Sequence, residues 1–308
     1  MSTPIIAAYG QGQLAPTEID QNLAAVQQAG WTTIILGLFH IGRPGVGNQA
    51  LGDIVFNDPI VITGGNLSEE YQGWPDQIAQ LKQGGSITRI YASVGGGDTV
   101  IDFTTIQHIY EQNNYSFSGT ALEQNFLAFR DDFSAIDGID LDCEDNYDQP
   151  SFNAFCSMLA GMGFSLTFCP YDRLQKTFWA NALKATNGIS PGAVKWWNLQ
   201  CYSGGAGNYP QDWANAIASA IPGFPTAGFI VAGDSADYRP DEVQSLIAGF
   251  SGEPSLGGGF VWTLDNIIES QSTSQYTMAD YVAAVRNGLA GETPAAKAAP
   301  PAGPSVPA

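Results

Sequence analysis

The sequence predicts a single-domain (β/α)8 barrel, and three observations carry that reading. Eight short apolar runs of strand length recur along residues 1–290 of the 308-residue chain. Amphipathic stretches with helical spacing lie between them. No Gly-rich phosphate fingerprint follows the first run, which counts against the dinucleotide-binding forms of the alternative, a doubly wound open sheet.

In chain order, "PIIAAYG" is the first strand. "APTEIDQNLAAVQQAG" follows with helical spacing at Ile19, Leu23 and Val26 and a stop at Gly30. "TTIILGLFHIG" is the second strand. The long segment from Arg43 to Leu67 contains "DIVFNDPIVIT", a small hairpin turning at Asn57-Asp58-Pro59, before "SEEYQGWPDQIAQLKQGG" resumes helix. "TRIYASVGGG" is the third strand, the helix "ALEQNFLAFRDDF" precedes the fourth, and "IDGIDLDCE" is the fourth. "PSFNAFCSMLAGMG" leads as a helix into the fifth, "SLTFCPYD". "VKWWNLQCYSGG" is the sixth, "TAGFIVAGD" the seventh with the helix "RPDEVQSLIAGF" after it, and "LGGGFVWTLDN" the eighth, closed by the helix "TMADYVAAVRNGLAG". Residues 291–308 are rich in Ala and Pro and are expected to form a flexible tail, a route by which the barrel would link to another module.

Hydrophobic residues make up 44% of the chain, enough for a sizeable core, whereas charged residues are only 13%. The 30 acids against 11 bases give a formal charge of -19, which repels nucleic acid and anionic membranes. No apolar run approaches a membrane span, and the N-terminus lacks the basic-then-apolar pattern of a secretory signal; the expectation is a monomer without a cleaved signal, its compartment left open. Cys143, Cys156, Cys169 and Cys201 form no paired motif and read as free buried thiols. His40 and His108 are far apart in sequence, so no histidine-based metal site is expected, and each reads as structural or superficial.

The densest chemistry lies in Ile136–Asp145, where five acids alternate with apolar side chains. Strand alternation puts Asp140, Asp142 and Glu144 on one face and Ile139, Leu141 and Cys143 on the other. In a barrel the acids would point inward and climb toward the end where active sites lie. Three carboxylates so close cannot all ionise cheaply, so at least one keeps a proton near neutral pH. Glu144, last and longest, suits a general acid. A divalent-cation site and a structural hydrogen-bonded ladder are the competing readings. Asp137 is expected to fix the turn into the strand.

These residues resemble the signatures of family 18 glycoside hydrolases, the chitinase family. "DGIDLDCE", Asp137 to Glu144, fits DGxDxDxE at every fixed position. "SVGG", Ser93 to Gly96, fits SxGG, "QCYS", Gln200 to Ser203, resembles the QxYN of the plant and fungal type, and "FVWTLD", Phe260 to Asp265, resembles the eighth strand with its Trp. The resemblance implies retaining hydrolysis of β-1,4-linked N-acetylglucosamine in which the substrate's own acetamide oxygen attacks, with no cofactor or metal. By position it makes Glu144 the acid and then the base. Asp142 would orient the acetamide N–H, Asp140 would share a proton or hydrogen bond with Asp142, and Tyr202 would donate to the acetamide carbonyl. Trp262 would stack under the sugar, and Gln200, Tyr9 and Ser93 would complete the substrate-binding set, Ser93 with the alternative of holding Asp140.

Two positions depart from the family pattern: Cys143, which faces outward, and Ser203, which stands where Asn or Asp is usual. Between the seventh strand and its helix there is no room for the α+β insertion domain of some family members, so an open groove and internal cuts are expected. The segment Arg43 to Leu67 is expected to form one wall, and Tyr171 and Asp172 to line the groove. An endo-β-N-acetylglucosaminidase acting on N-linked glycans would use the same acids, and a non-catalytic lectin or inhibitor would share the fold.

Overall fold

The computed structural model describes residues 3–97 and 100–294 of the chain; from residue 295 on, the expected tail lies outside the described residues. Eight parallel strands close into a barrel: β1 (Ile5–Gly10), β2 (Thr33–Ile41), β6 (Arg89–Gly96), β7 (Gly138–Cys143), β8 (Ser165–Phe168), β9 (Val194–Gln200), β10 (Ile230–Ser235) and β11 (Leu256–Trp262). Closure comes from β1, which pairs with both β11 and β2. The short strands β3 (Ile54–Phe56), β4 (Ile60–Thr63) and β5 (Asn66–Leu67) add an antiparallel extension to the upper end of β2. That extension is the expected hairpin, with Asn57 at positive φ in its turn.

Helices α1 (Ile19–Gln28), α2 (Trp74–Gln80), α3 (Asp102–Gln112), α4 (Ala121–Asp132), α5 (Gln149–Gly161), α6 (Lys176–Ile189), α7 (Pro210–Ala220), α8 (Pro240–Ala248), α9 (Leu264–Ser274) and α10 (Met278–Leu289) surround the barrel. Four of them, α3, α6, α7 and α9, are absent from the sequence reading. α9 also takes Leu264 and Asp265 out of the expected eighth strand; the Thr263 hydroxyl caps it by accepting from Asn266 N. Among the described residues no helix is long and apolar enough to cross a membrane.

Alternation along the strands divides the core in two. Ile139, Leu141 and Cys143 pack outward with the helices, while Ala7, Tyr9, Ile35, Tyr91, Cys169, Trp196, Tyr202, Val231 and Phe260 cluster inside the barrel. Trp197 goes outward and Trp196 inward, as their parity requires. All four cysteines are free and buried. Only residues 236–239 separate β10 from α8, so no insertion domain enters there.

One outward position carries a cost. Asp234 shares the parity of Ile230 and Ala232, is buried, and accepts a hydrogen bond from Ser235 N at 2.9 Å. Burial pushes its carboxyl up to about 6. The folded protein therefore holds this proton to higher pH than the unfolded chain does. Asp234 costs stability progressively as pH rises from about 4 to about 6, on the order of 3 kcal/mol above that window. Asp234→Asn is expected to stabilise the protein by about 1–3 kcal/mol at pH 7.5 and by much less at pH 4. Urea unfolding of both proteins at the two pH values checks this; parallel stabilities would contradict it.

Candidate active site

The five acids of Ile136–Asp145 divide into two flanking anchors and a central ladder. Asp137 Oδ2 accepts from Ile90 N at 2.8 Å and from Lys82 Nζ at 2.7 Å, tying the start of β7 to β6 rather than shaping its own turn. Asp145 accepts from Phe103 N and Thr104 N, at 3.2 and 2.9 Å, satisfying the open N-terminus of α3. The central three, Asp140, Asp142 and Glu144, point into the barrel in a climbing row.

Asp140 lies deepest and is fully buried. Its Oδ2 accepts from the Tyr9 hydroxyl (2.9 Å) and the Ser93 hydroxyl (2.8 Å). Its Oδ1 accepts from the Thr167 hydroxyl (2.6 Å) and from Asn198 Nδ2 (2.9 Å). Burial raises the Asp140 pKa, and the four hydrogen bonds pull it back without cancelling the rise. Four donors also fill the lone pairs that a cation would need, which disfavours the divalent-metal reading of the ladder. Among the described residues no cluster of His, Cys, Asp and Glu is arranged to hold a metal ion.

Ser93 takes its alternative reading, holding Asp140, and Tyr9 bonds to the same carboxylate; both are buried at the base of the ladder, and neither lines the cavity above it. Nor does Asp140 carry a hydrogen bond to Asp142, because its own oxygens are taken. Asp142 instead engages the residue above: burial, then the charge of Glu144, then that of Asp140 raise its pKa well above the carboxylate range, and a hydrogen bond to Glu144 adds to the rise. Gln200 Nε2 donates to both partners, at 3.0 Å to Asp142 Oδ1 and 2.8 Å to Glu144 Oε1. In such a pair a proton is held more tightly than on a lone carboxyl, because losing it leaves two charges side by side.

The glycines that follow Ser93 have no room for side chains. Gly95 and Gly96 have φ of +113° and +118°, and a Cβ on Gly95 would collide with the Asp142 carbonyl. A Cβ on the next residue, Gly97, would stand 2.9 Å from Glu144 Oε2. The strand register places Ser93 opposite Asp140 and Gly95 opposite Asp142. Each small residue thus lies beside the acid it accommodates.

Above the pair opens a cavity of about 570 Å³, lined among others by Asp142, Glu144, Gln200, Tyr202, Trp262 and Tyr171. The Tyr202 hydroxyl has no hydrogen-bond partner among the described residues, and its ring meets Phe260 edge-on. Trp262 is partly exposed and tilts against Tyr9 at 5.4 Å between centroids. Asn57 and Asp58, at the tip of the β3–β4 turn, form part of the wall expected from the Arg43–Leu67 segment. Ser203, the departure after Tyr202, also lines the cavity. Asp172 does not: it caps the following turn by accepting from Leu174 N at 2.9 Å. Asp265, in the eighth-strand motif, secures the first loop through Gln11 N and Gln13 N, at 2.7 and 2.8 Å.

Cys169, Thr167 and Asn198 are site residues absent from the sequence reading. The Cys169 thiol lies 3.2 Å from the Tyr9 hydroxyl and against Asp142; burial, then the Asp142 charge, raises its pKa well above the usual thiol value, so it stays protonated. Parity was the available signal: Thr167 and Cys169 share one face of the fifth strand, and Asn198 shares that of Gln200.

No family model matches the chain, and no curated protein matches it. Solved structures do match. The catalytic domain of a family GH18 chitinase from the fern Peteris ryukyuensis superposes with a TM-score of 0.56 at 17% identity, over 92% of this chain and 99% of that one. Catalytic domain 2 of the Ostrinia furnacalis Group II chitinase, as a variant in complex with (NAG)5, gives 0.60 at 12% identity, over 96% and 98%. A class V chitinase from Pseudomonas fluorescens gives 0.55 at 16% identity, over 93% and 100%. The chain is a single-domain (β/α)8 barrel with the fold of family GH18 chitinase catalytic domains, in line with the resemblance seen in its motifs.

Proposed function

We propose that the chain is a glycoside hydrolase of the family 18 type. It would cut β-1,4 N-acetylglucosamine linkages within chitin or its oligomers, with retention and without an enzyme nucleophile. The observation that most supports this reading is the Asp140–Asp142–Glu144 ladder, rising inside the barrel to a cavity with Trp262 and Tyr202 at its edge.

The roles follow from the surroundings of each acid. Asp140, saturated by four donors, anchors the base of the ladder. Asp142 and Glu144 share a proton. As the acetamide N–H of a bound sugar turns to Asp142, the proton resides on Glu144, within the cavity, and passes from there to the glycosidic oxygen. The acetamide oxygen attacks the anomeric carbon as its bond to the protonated glycosidic oxygen breaks and the rest of the chain leaves as an alcohol, and the Asp142 carboxylate stabilises the positive charge that develops on the acetamide. Tyr202 donates its free hydroxyl to the acetamide carbonyl. Glu144, now ionised, takes a proton from the water that opens the intermediate, which restores the starting state. Gln200 holds both carboxylates in line, and Trp262 covers the apolar face of the sugar.

Product analysis on N-acetylglucosamine oligomers, beside a high-mannose glycopeptide, tests the proposal. Release of shorter oligomers from internal positions is the expected result. Cleavage of the glycopeptide alone would move the substrate to N-linked glycans, and binding without cleavage of either would make the chain a lectin.

A further inference from the structure

We propose that Trp196 is a positioning residue for the reaction: from the far end of the barrel, through Asn198, it holds Asp140 as a carboxylate beneath the Asp142–Glu144 pair. This rests on the reading of that pair as the holder of the catalytic proton.

The first observation is a chain of two hydrogen bonds. Strand parity puts Trp196, Asn198 and Gln200 on the inner face of β9. The Trp196 indole Nε1 donates to Asn198 Oδ1 at 2.8 Å, and Asn198 Nδ2 donates to Asp140 Oδ1 at 2.9 Å. All three side chains are buried. The indole is itself held in place. The Tyr91 ring meets it edge-on at 4.9 Å between centroids, and the Arg89 guanidinium lies 5.8 Å over its face. These groups line a cavity of about 480 Å³ among the first residues of the strands, at the end of the barrel opposite Glu144. Neither Trp196 nor Asn198 lines the cavity above the pair.

The second observation is the direction that this chain imposes. An indole N–H can only donate, so the Asn198 carbonyl oxygen has to face it, and the amide NH2 is turned to Asp140. The other three partners of Asp140 are the hydroxyls of Tyr9, Ser93 and Thr167. A hydroxyl both donates and accepts, so by rotating it can serve either a carboxylate or a carboxylic acid. The oriented amide has no such choice and favours the carboxylate. Burying an indole does not by itself demand this bond: Trp197 Nε1, one residue on, is buried without a hydrogen-bond partner among the described residues.

The third observation is what the Asp140 charge acts upon. The ionisable groups around it are Tyr9 from β1, Tyr91 from β6, Asp142 on its own strand and Cys169 just after β8. Burial raises both phenols and the thiol, so all three stay protonated near neutral pH. The charge that varies is therefore that of the acids. Burial, then the charge of Glu144, then that of Asp140 raise the Asp142 pKa. With Asp140 ionised, the pair above keeps its last proton to higher pH; with Asp140 protonated, the pair releases it at lower pH.

The test is the pH–rate profile of N-acetylglucosamine oligomer hydrolysis for Trp196→Phe, for Asn198→Leu and for the two combined. A fourth protein carries Trp196→β-(3-benzothienyl)alanine, which keeps the ring shape and replaces the N–H by sulfur. Each is expected to move the alkaline limb to lower pH by about 0.5–1 unit, the scale set by one lost hydrogen bond. The oligomer KM should stay within about two-fold of the parent. The combined substitution should move the limb no further than either alone, because both act through one amide. A loss of rate equal at every pH would mean that Trp196 only fills space, and would overturn the proposal. So would a benzothienyl protein with the parent's profile, or shifts that add. Carbon-13 titration of the Asp140 carboxyl in the same proteins separates this proposal from the hydrolase reading. A chain that cuts no oligomer, yet whose Asp140 takes up its proton at higher pH in the variants, would overturn the hydrolase reading and leave the role of Trp196. Hydrolysis with Asp140 titrating alike in every protein would do the reverse.

Discussion

Glu144→Gln is expected to reduce hydrolysis of N-acetylglucosamine oligomers by about 10²–10⁴-fold while oligomer affinity stays within a few-fold of the parent. The substitution is conservative where it needs to be. Gln200 Nε2 donates to Glu144 Oε1 at 2.8 Å, and a glutamine oxygen at the same place accepts that bond equally well. The space left by Gly97 accepts the isosteric side chain. What disappears is the proton that the leaving oxygen requires. Steady-state rates and calorimetry on the same preparation check both halves, and a variant as fast as the parent would remove Glu144 from the acid role.

Asp142→Asn is the second large effect, expected to slow turnover by about 10²-fold or more through lost orientation and charge stabilisation of the acetamide. Its pH dependence is the sharper readout. In the parent, removing the last proton from the pair leaves two adjacent carboxylates, and the Asp142 pKa is raised by burial and by the charge of Glu144. The one-proton form therefore persists to higher pH than a lone carboxyl would allow. With Asn at this position that repulsion is gone, and the alkaline limb of the pH–rate profile is expected to move to lower pH. A limb that stays in place would mean that the two acids do not share the catalytic proton.

Much of this site was legible in the sequence because a strand has a period of two. Alternation alone put Asp140, Asp142 and Glu144 on one face and Cys143 on the other, and the eight apolar runs implied the barrel that turns that face inward. The partners of Asp140 were harder to read. Tyr9, Ser93, Thr167 and Asn198 come from β1, β6, β8 and β9, and only closure of the barrel in one register brings them to one carboxylate. Motif position suggested that Tyr9 touches substrate and left Ser93 the alternative of holding Asp140; both bond to Asp140 at the base of the ladder. His40, read as structural or superficial, is held by Asp102, and its orientation depends on a register shift that leaves no local mark in sequence. The helices missed, α3 and α9 above all, are rich in Thr, Ser and Ile, with weak helical propensity; their caps and the barrel surface hold them instead.

The central claim is that the Asp142–Glu144 pair at the cavity serves a reaction in which the substrate's own acetamide attacks. The most direct measurement is the anomeric form of the first product, followed by NMR from the moment of mixing with an N-acetylglucosamine oligomer. The β-anomer should appear first and then mutarotate. Initial release of the α-anomer would mean that water attacks directly from the opposite face, and would contradict the account.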